Sequence, residues 1–220
     1  MRGPAFVAAL IAAPAAAQDP AQDCPAAPSD REIRVTYDNG VAQRFIPQAG
    51  APGRLVSSTA PSGIAWQAVR HGGLIDYQSF GLVDGIRLPV YHDDYDAGIA
   101  EIFPLQASRS VEVDGLRYTF LNSGLAVRWS DLAYTFRNPE PRRLRVDVGV
   151  EQVLTIGACS YASLPVEVHH FEEGVEEVAR IEALDYLPQL GIAIIRKLER
   201  PAFDPPITTF DPVSISDDAG

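Results

Sequence analysis

Short segments of alternating apolar and polar residues, separated by turn dipeptides, recur along most of the 220-residue chain. Residues 33–37 alternate in this way, Asn39-Gly40 offers the two positive-φ positions of a tight turn, and residues 41–46 return. Similar segments lie on either side of His71-Gly72-Gly73. This spacing is typical of antiparallel hairpins, in which alternation directs one apolar face of each strand toward a core.

Further segments extend this pattern, with Asp114-Gly115 interpreted as the turn of a third hairpin and residues 144–156 as a clear alternating strand. Residues 175–184 have an apolar residue at every third position, which suits a helix, yet Glu173-Gly174 before them suits a turn, and we favour a strand. The sequence predicts an all-β domain of roughly ten strands in a large curved antiparallel sheet or open half-barrel, with at most one short helix. Other predicted strands are residues 86–91, 125–136, 161–171 and 192–198.

The first 17 residues have the composition of an export signal: Arg2, an apolar run at 5–13, and small residues up to Ala17. We predict cleavage near Ala17 and a periplasmic or secreted location. The nine residues of the apolar run are too few to cross a bilayer. No later stretch has the length and hydropathy of a membrane span.

The rest of the chain divides by composition. Residues 18–31 are rich in Pro, Ala, Asp and Gln and are interpreted as an N-terminal tether, followed by a single β-rich domain at 32–200. Residues 201–220 contain four prolines and four aspartates and no Lys or Arg, which favours a flexible acidic tail.

Cys24 and Cys159 are the only cysteines, and an exported chain would meet an oxidising compartment. We therefore predict a disulfide between them. The alternative is a buried free Cys159 with Cys24 in a mobile tail. The segment Ala21-Gln22-Asp23 lacks the small apolar run that lipidation of Cys24 would need.

Charge and motifs exclude several classes of function. The formal charge of -11 argues against binding the phosphate backbone of nucleic acids or anionic lipid headgroups. The sequence contains no Gly-x-Ser-x-Gly, His-Glu-x-x-His, Cys-x-x-Cys, P-loop or Gly-x-Gly-x-x-Gly motif. No cofactor is predicted.

Three stretches of the second half carry a further pattern: Phe103-Pro104-Leu105, residues 148–157, and residues 186–191 with the sequence Tyr-Leu-Pro-Gln-Leu-Gly. Together they resemble secreted bacterial β-rich domains of unknown function, distantly similar to lipoprotein-carrier half-barrels. Two positions depart from the pattern, Ser108 where Gly is expected and Cys159 where a small apolar residue or Phe is usual. The resemblance implies an architecture and no catalytic residue.

Aromatic residues on predicted strands are the candidates for ligand binding. They either pack in the core or line a ligand cavity, and both interpretations stay open. The candidates are Trp66, Tyr77, Tyr118 and Trp129.

Residues 91–98 form the richest polar cluster. Asp94, Asp96 and Glu101 resemble part of a calcium loop, but a third acidic ligand and the distal bidentate Glu are missing, so no metal is predicted. His92 beside an aspartate could serve as a general base. We favour an acidic loop that keeps the edge of the sheet soluble.

Two further groups of charged or ionisable residues occur in the second half of the sequence. His169 and His170 are neighbours on a predicted strand, so they point to opposite faces and do not share a metal, and we expect both at the surface or rim. Arg142-Arg143 and Arg145 form a basic cluster, which we interpret as a solvated turn rather than a contact patch because Glu140 is close by.

The sequence predicts a non-catalytic envelope-associated domain that binds an apolar small molecule or a partner protein. The alternative is a secreted hydrolase or metal-dependent enzyme that uses His92, Asp94 and Asp96. A purely structural accessory domain is a third interpretation, and the oligomeric state is left open.

Overall fold

The computed structural model describes residues 24–26, 31–48, 53–84, 86–96, 98–120, 139–172 and 177–217. These residues form 14 strands and one short helix, and every strand pair is antiparallel, which confirms the predicted all-β class with a curved antiparallel sheet. The elements are β1 (Ile33–Tyr37), β2 (Ala42–Pro47), β3 (Gly53–Thr59), β4 (Ala65–His71), β5 (Ile75–Val83), β6 (Ile86–Tyr95), α1 (Ile99–Ile102), β7 (Ser110–Thr119), β8 (Glu140–Val148), β9 (Gln152–Ile156), β10 (Cys159–Glu172), β11 (Val178–Leu187), β12 (Ile192–Glu199), β13 (Ile207–Thr209) and β14 (Pro212–Asp217).

The strands follow one another in a single path, β13-β12-β11-β10-β8-β7-β6-β5-β4-β3-β2-β1-β14, with β9 paired to β10. The two strands at the ends of this path, β13 and β14, are joined in the chain by Phe210 and Asp211 alone. The backbone N–H of Phe210 donates to the carbonyl oxygen of Arg196 on β12 at 2.9 Å. The backbone N–H of Asp38, which follows β1, donates to the carbonyl oxygen of Asp211 at 2.9 Å. The sheet therefore curves until its two ends meet at this link.

One face of the sheet carries much of the core, and we call it the inner face. Ile33, Phe45, Val56 and Ala68 are successive cross-strand partners in β1 to β4, and all four are buried. The same face continues through β7, β8, β10 and β11. Burying an aliphatic or aromatic side chain of this size contributes about 1.5–3 kcal/mol. The inner-face core of those four strands comprises Val113, Leu144, Val146, Val148, Val166, Val168 and Leu184.

The predicted third hairpin is wrong. β7 runs without a break from Ser110 to Thr119, through Asp114-Gly115. A Cβ on Gly115 would lie 2.7 Å from Cδ1 of Tyr95 and 2.8 Å from the carbonyl oxygen of Asp94. The glycine therefore allows close approach of β6, which is a packing requirement and not a turn.

The two other ambiguous stretches are strands. The interpretation of residues 175–184 as strand is confirmed from Val178 onward, where β11 begins. The prediction of a flexible tail at 201–220 is wrong for β13 and β14, since β13 pairs with β12 and β14 pairs with β1. Ile215 of β14 is fully buried opposite Val35, and this apolar contact anchors the acidic segment that composition alone assigned to solvent.

The predicted disulfide is confirmed. Cys24 and Cys159 are bonded, with their Cα atoms 5.6 Å apart and a sequence separation of 135. In the chain-entropy account a loop of that order stabilises the fold by about 4–5 kcal/mol. A disulfide is compatible with a secreted or periplasmic protein. No helix within the described ranges has the length and hydropathy to span a membrane. The proposed signal at 1–17 lies outside those ranges.

Candidate functional site

The inner face changes from apolar to charged toward one end of the sheet. In β10, Val166 and Val168 are followed by His170 and Glu172 in the same alternation. The neighbouring strands make the same change in register, so their charged residues form one layer. The cross-strand pairs of this layer are Glu172 with Arg142, His170 with Arg180, Val168 with Glu182, Glu140 with Arg117, and Asp93 with Arg117.

Glu182 is a buried carboxylate of this layer, with its side chain 7% exposed. Its Oε1 atom lies 2.6 Å from Nη2 of Arg180 and 3.3 Å from Nε2 of His170, and its Oε2 atom lies 3.9 Å from Nη2 of Arg70. Burial alone would raise the pKa of Glu182. The charge of Arg180, together with His170 and Arg70, outweighs burial and holds the pKa well below its usual range.

A second buried pair joins β6 to β7. Nε and Nη2 of Arg117 donate to the two carboxylate oxygens of Asp93, each at 2.6 Å. The hydroxyl of Tyr95 donates to Asp93 at 3.2 Å, and the guanidinium carbon of Arg117 lies 3.9 Å from the ring centroid of Tyr91. Burial opposes the charge of Arg117, but the hydrogen bonds and charge of Asp93 raise its pKa overall. Burial also raises the pKa of Tyr91 to about 12.

A third pair lies on β4 and β5, where Nε of Arg70 donates to Oδ1 of Asp76 at 2.7 Å. Arg70 also approaches Glu182 on β11, which is six positions away from β4 along the sheet. This contact crosses the space enclosed by the inner face. The curvature of the sheet therefore brings the charged residues of distant strands into one cluster.

The two histidines are placed differently from the prediction. They do lie on opposite faces, since Nε2 of His169 is 3.2 Å from Asp147 whereas His170 contacts Glu182. Neither is at an open surface, because His169 is 7% exposed and the side chain of His170 is 14% exposed. Burial first, and then the charge of Arg180, lowers the pKa of His170, so its imidazole is neutral at pH 7.

A cavity of about 160 Å³ opens at the charged end of the sheet. Its lining includes the apolar groups of Leu144, Phe171 and Phe203, and five arginines. Pockets for whole drug-sized molecules measure about 300–1,000 Å³, so this cavity fits a small molecule or one end of a larger one. The five arginines are Arg117, Arg142, Arg143, Arg180 and Arg200.

The arginines of the cavity differ in how they are paired. Arg142 contacts Glu140 and Glu172, each at 3.3 Å. The guanidinium carbon of Arg143 lies 4.4 Å from the ring centroid of Phe171, and that of Arg200 lies 4.8 Å from the ring centroid of Phe203. Residues 142–145 were expected in a solvated turn, but they lie within β8. Arg142 and Leu144 occupy alternate positions of this strand and both point to the inner face.

Two arginines of the cavity have no carboxylate partner among the residues that the structure describes. They are Arg143 and Arg200, whose guanidinium groups lie over aromatic rings. In the same part of the chain, the Nε atoms of Arg142 and Arg180 are buried without a hydrogen-bond partner. The guanidinium groups of Arg143 and Arg200 are therefore the donors that the cavity offers to a ligand.

The aromatic residues singled out from sequence do not form one surface. Trp66 follows the inner-face alternation of Ala68, pairs with Gly81 and is 41% exposed. Tyr77 and Tyr118 flank His92, with ring centroids 6.3 Å and 6.4 Å from its imidazole, on the opposite face from Trp66. The fourth candidate, Trp129, lies outside the described residues. None of the three placed residues lines the arginine cavity.

The residues of the predicted acidic loop are also dispersed. Asp94 is exposed on β6, Oδ1 of Asp96 accepts the N–H of Gly98 at 3.0 Å, and Glu101 is exposed on α1. Across the described ranges, no three His, Cys, Asp or Glu side chains come together as a metal site. The loop thus contributes a turn, and the charged cluster lies elsewhere.

Sequence reasoning missed the charged layer and the cavity. The available signal was the repeated change from aliphatic to charged residues at alternate positions, as in Val166, Val168, His170. This change indicates a site only when the strand register is known, because the pairing of β7, β8, β10 and β11 brings the charged ends of these strands side by side. Arg200 and Phe203 follow β12 and join the cavity through the curvature of the sheet.

Comparisons with protein-family models, with curated proteins and with solved structures gave no match. The resemblance to secreted bacterial β-rich domains therefore stays a prediction. Functional conclusions for this chain depend on the geometry of its own side chains.

Proposed function

We propose that this chain is a non-catalytic binding domain of the bacterial periplasm or cell exterior, which takes a small molecule or one end of a larger one into the arginine-lined cavity. The carrying observation is the cavity itself, at the charged end of the sheet. Leu144, Phe171 and Phe203 offer apolar contacts at the same site. A ligand with both apolar and polar parts matches this lining better than a wholly apolar one.

The state of the charged groups favours binding over proton transfer. Arg180 holds Glu182 ionised, and a general acid needs the opposite, a carboxyl whose pKa is raised toward neutrality. Burial raises the pKa of Tyr95 far above neutrality, so its phenol keeps its proton. The protonation of these groups does not change near pH 7, so they produce a constant electrostatic field. Recognition of a polar ligand requires such a field.

The disulfide and the predicted export signal support the same proposal. The disulfide between Cys24 and Cys159 suits an oxidising compartment, and residues 1–17 have the composition of a signal peptide. The enzymatic alternative based on His92 has no support of comparable weight. His92 packs between two tyrosine rings, and Asp94 and Asp96 are exposed.

Native mass spectrometry of protein purified from a bacterial periplasm tests the proposal. We expect a bound small molecule that is released on denaturation. The cavity-filling variant Ala179→Trp should lose the added mass, whereas Ala162→Trp, at an exposed position on β10 outside the cavity, should keep it. Phe203→Ala, at an exposed position of the rim, lowers occupancy without threatening the core.

Two results would contradict the proposal. One is a wild-type protein that carries the mass of the bare chain and takes up no small molecule. The other is an added mass that Ala179→Trp and Phe203→Ala both leave unchanged, with circular dichroism showing that the variants are folded. In that case any ligand binds away from this cavity.

A further inference from the structure

We infer that the group recognised in the cavity is an oxyanion, a carboxylate or a phosphate, carried on a small organic molecule with an apolar part. This inference rests on the proposed function and adds the chemical class of the ligand. It starts from charge. Among the residues that the structure describes, five arginines line the cavity and four carboxylates pair with them, which leaves one net positive charge there in a chain of formal charge -11. The four carboxylates are Asp93, Glu140, Glu172 and Glu182.

The arginines of the cavity without a carboxylate partner among the described residues are Arg143 and Arg200. Each guanidinium lies over a phenylalanine ring, at 4.4 Å for Arg143 and 4.8 Å for Arg200. Stacking engages the face of the guanidinium and leaves its edge of N–H donors free. That edge matches the two oxygens of a carboxylate or a phosphate in a bidentate arrangement. Two such groups at one cavity form a site for an acidic group rather than for a neutral or basic one.

The apolar part of the ligand has contacts of its own in the cavity lining. Aromatic residues at the same site, Phe171 and Phe203, would contact the apolar part of the ligand.

The dimensions limit the ligand. A cavity of about 160 Å³ accepts an acidic headgroup and the first part of a short chain. Phe203 is exposed at the rim, so the remainder of a longer ligand can extend outward over it. The expected ligand class is therefore a short organic acid or an organic phosphate with an apolar tail.

Titration calorimetry with matched probes tests this inference. Octanoate and octyl phosphate carry the two oxyanions on one chain, octanol and octylamine carry a neutral and a cationic group, and inorganic phosphate lacks the chain. All are used below micellar concentrations at low salt. We expect octanoate or octyl phosphate to bind, and octanol and octylamine not to bind. The ratio of the first two distinguishes carboxylate from phosphate, and inorganic phosphate measures the contribution of the tail.

Variants locate the binding. Arg143→Gln and Arg200→Gln should each weaken binding about tenfold, since each removes a charge-assisted donor pair. The matched control is Arg87→Gln, because Arg87 also lies over a phenylalanine, Phe80, at 5.9 Å, and is outside the cavity. Its affinity should stay within about twofold of wild type, since a distant exposed charge is largely screened.

The outcomes separate this inference from the proposed function. If octanol or octylamine binds as tightly as the acids and Ala179→Trp abolishes that binding, the cavity binds ligands but not through an oxyanion, and the inference is wrong. If the acids bind equally well to Arg143→Gln and Arg200→Gln, their site is elsewhere, and the inference is again wrong. If no probe binds and no ligand co-purifies, both the inference and the proposed function fail.

Discussion

Replacing Glu182 by Gln tests the buried charge cluster, because the substitution removes one charge and keeps the shape of the side chain. Arg180 then loses its partner at 2.6 Å, and Arg70 loses a second carboxylate at 3.9 Å. Breaking a buried ion pair from one side costs about 3–5 kcal/mol, since the remaining charge is left uncompensated. For a protein of this size each kcal/mol lowers Tm by about 2–4 °C, so the expected decrease is about 6–20 °C.

The pH dependence of the loss of stability in Glu182→Gln shows whether that loss is electrostatic. The folded-state pKa of Glu182 is depressed, so its stabilisation is present above the pKa of the unfolded chain and is lost as the pH falls toward the folded value. The difference between wild type and Glu182→Gln should therefore shrink by about 1.4 kcal/mol for each pH unit below about pH 4.3. The difference should be constant above about pH 6.5, the ordinary pKa of histidine, because Glu182 also acts on the pKa of His170.

Urea unfolding at pH 7 and at pH 3.5 measures both quantities. The control is Glu199→Gln, whose carboxylate pairs with Lys197 near the surface and should cost no more than about 1 kcal/mol. Exposed ion pairs contribute no more than about 1 kcal/mol. A loss of unfolding free energy below about 1 kcal/mol for Glu182→Gln at pH 7 would therefore refute the reasoning. So would an equal loss at both pH values.

Three further predictions concern the backbone and the disulfide, and urea unfolding at pH 7 measures each. Removing both Cys24 and Cys159 as serines should cost about 4–5 kcal/mol, and an unchanged stability would contradict the loop argument. Gly191→Ala should cost about 1–2 kcal/mol, because Gly191 has a φ of 61°. The added Cβ meets no other residue within 4 Å, so a steric clash does not contribute. Ser108→Gly should stabilise the fold slightly, because Ser108 has a φ of 60°. Equal effects of these two changes would show that φ is not the cause. Gly115→Ala should cost about 1–3 kcal/mol through its clash with β6, and a neutral result would contradict that contact.

Much of the sheet could be predicted from sequence, because alternation and turn dipeptides are local signals. Asn39-Gly40 marks the turn between β1 and β2, and Gly40 has a φ of 77° there. Asp114-Gly115 carries the same local signal but lies inside β7, where the glycine accommodates a neighbouring strand. Composition gave a wrong result for residues 207–217, since Ile215 finds a buried position only once β1 is in place beside it.

The candidate site could not be predicted, because it depends on long-range register. Arg117, Arg180 and Arg200 are far apart in sequence and meet only where the sheet curves. His170 looked like a surface residue from its polarity, yet its alternation with Val166 and Val168 assigns it to the inner face. Burying polar residues at inner-face positions is costly. Their alignment at one end of the sheet therefore indicates a functional site and not a solvated edge.

A crystal structure of the protein soaked with octyl phosphate tests the central claim most directly. The account predicts electron density for the phosphate in the cavity, with its oxygens within hydrogen-bond distance of the guanidinium groups of Arg143 and Arg200 and its chain against Phe171 or Phe203. A cavity without ligand while the compound binds in solution, or a phosphate bound at another surface, would contradict the account.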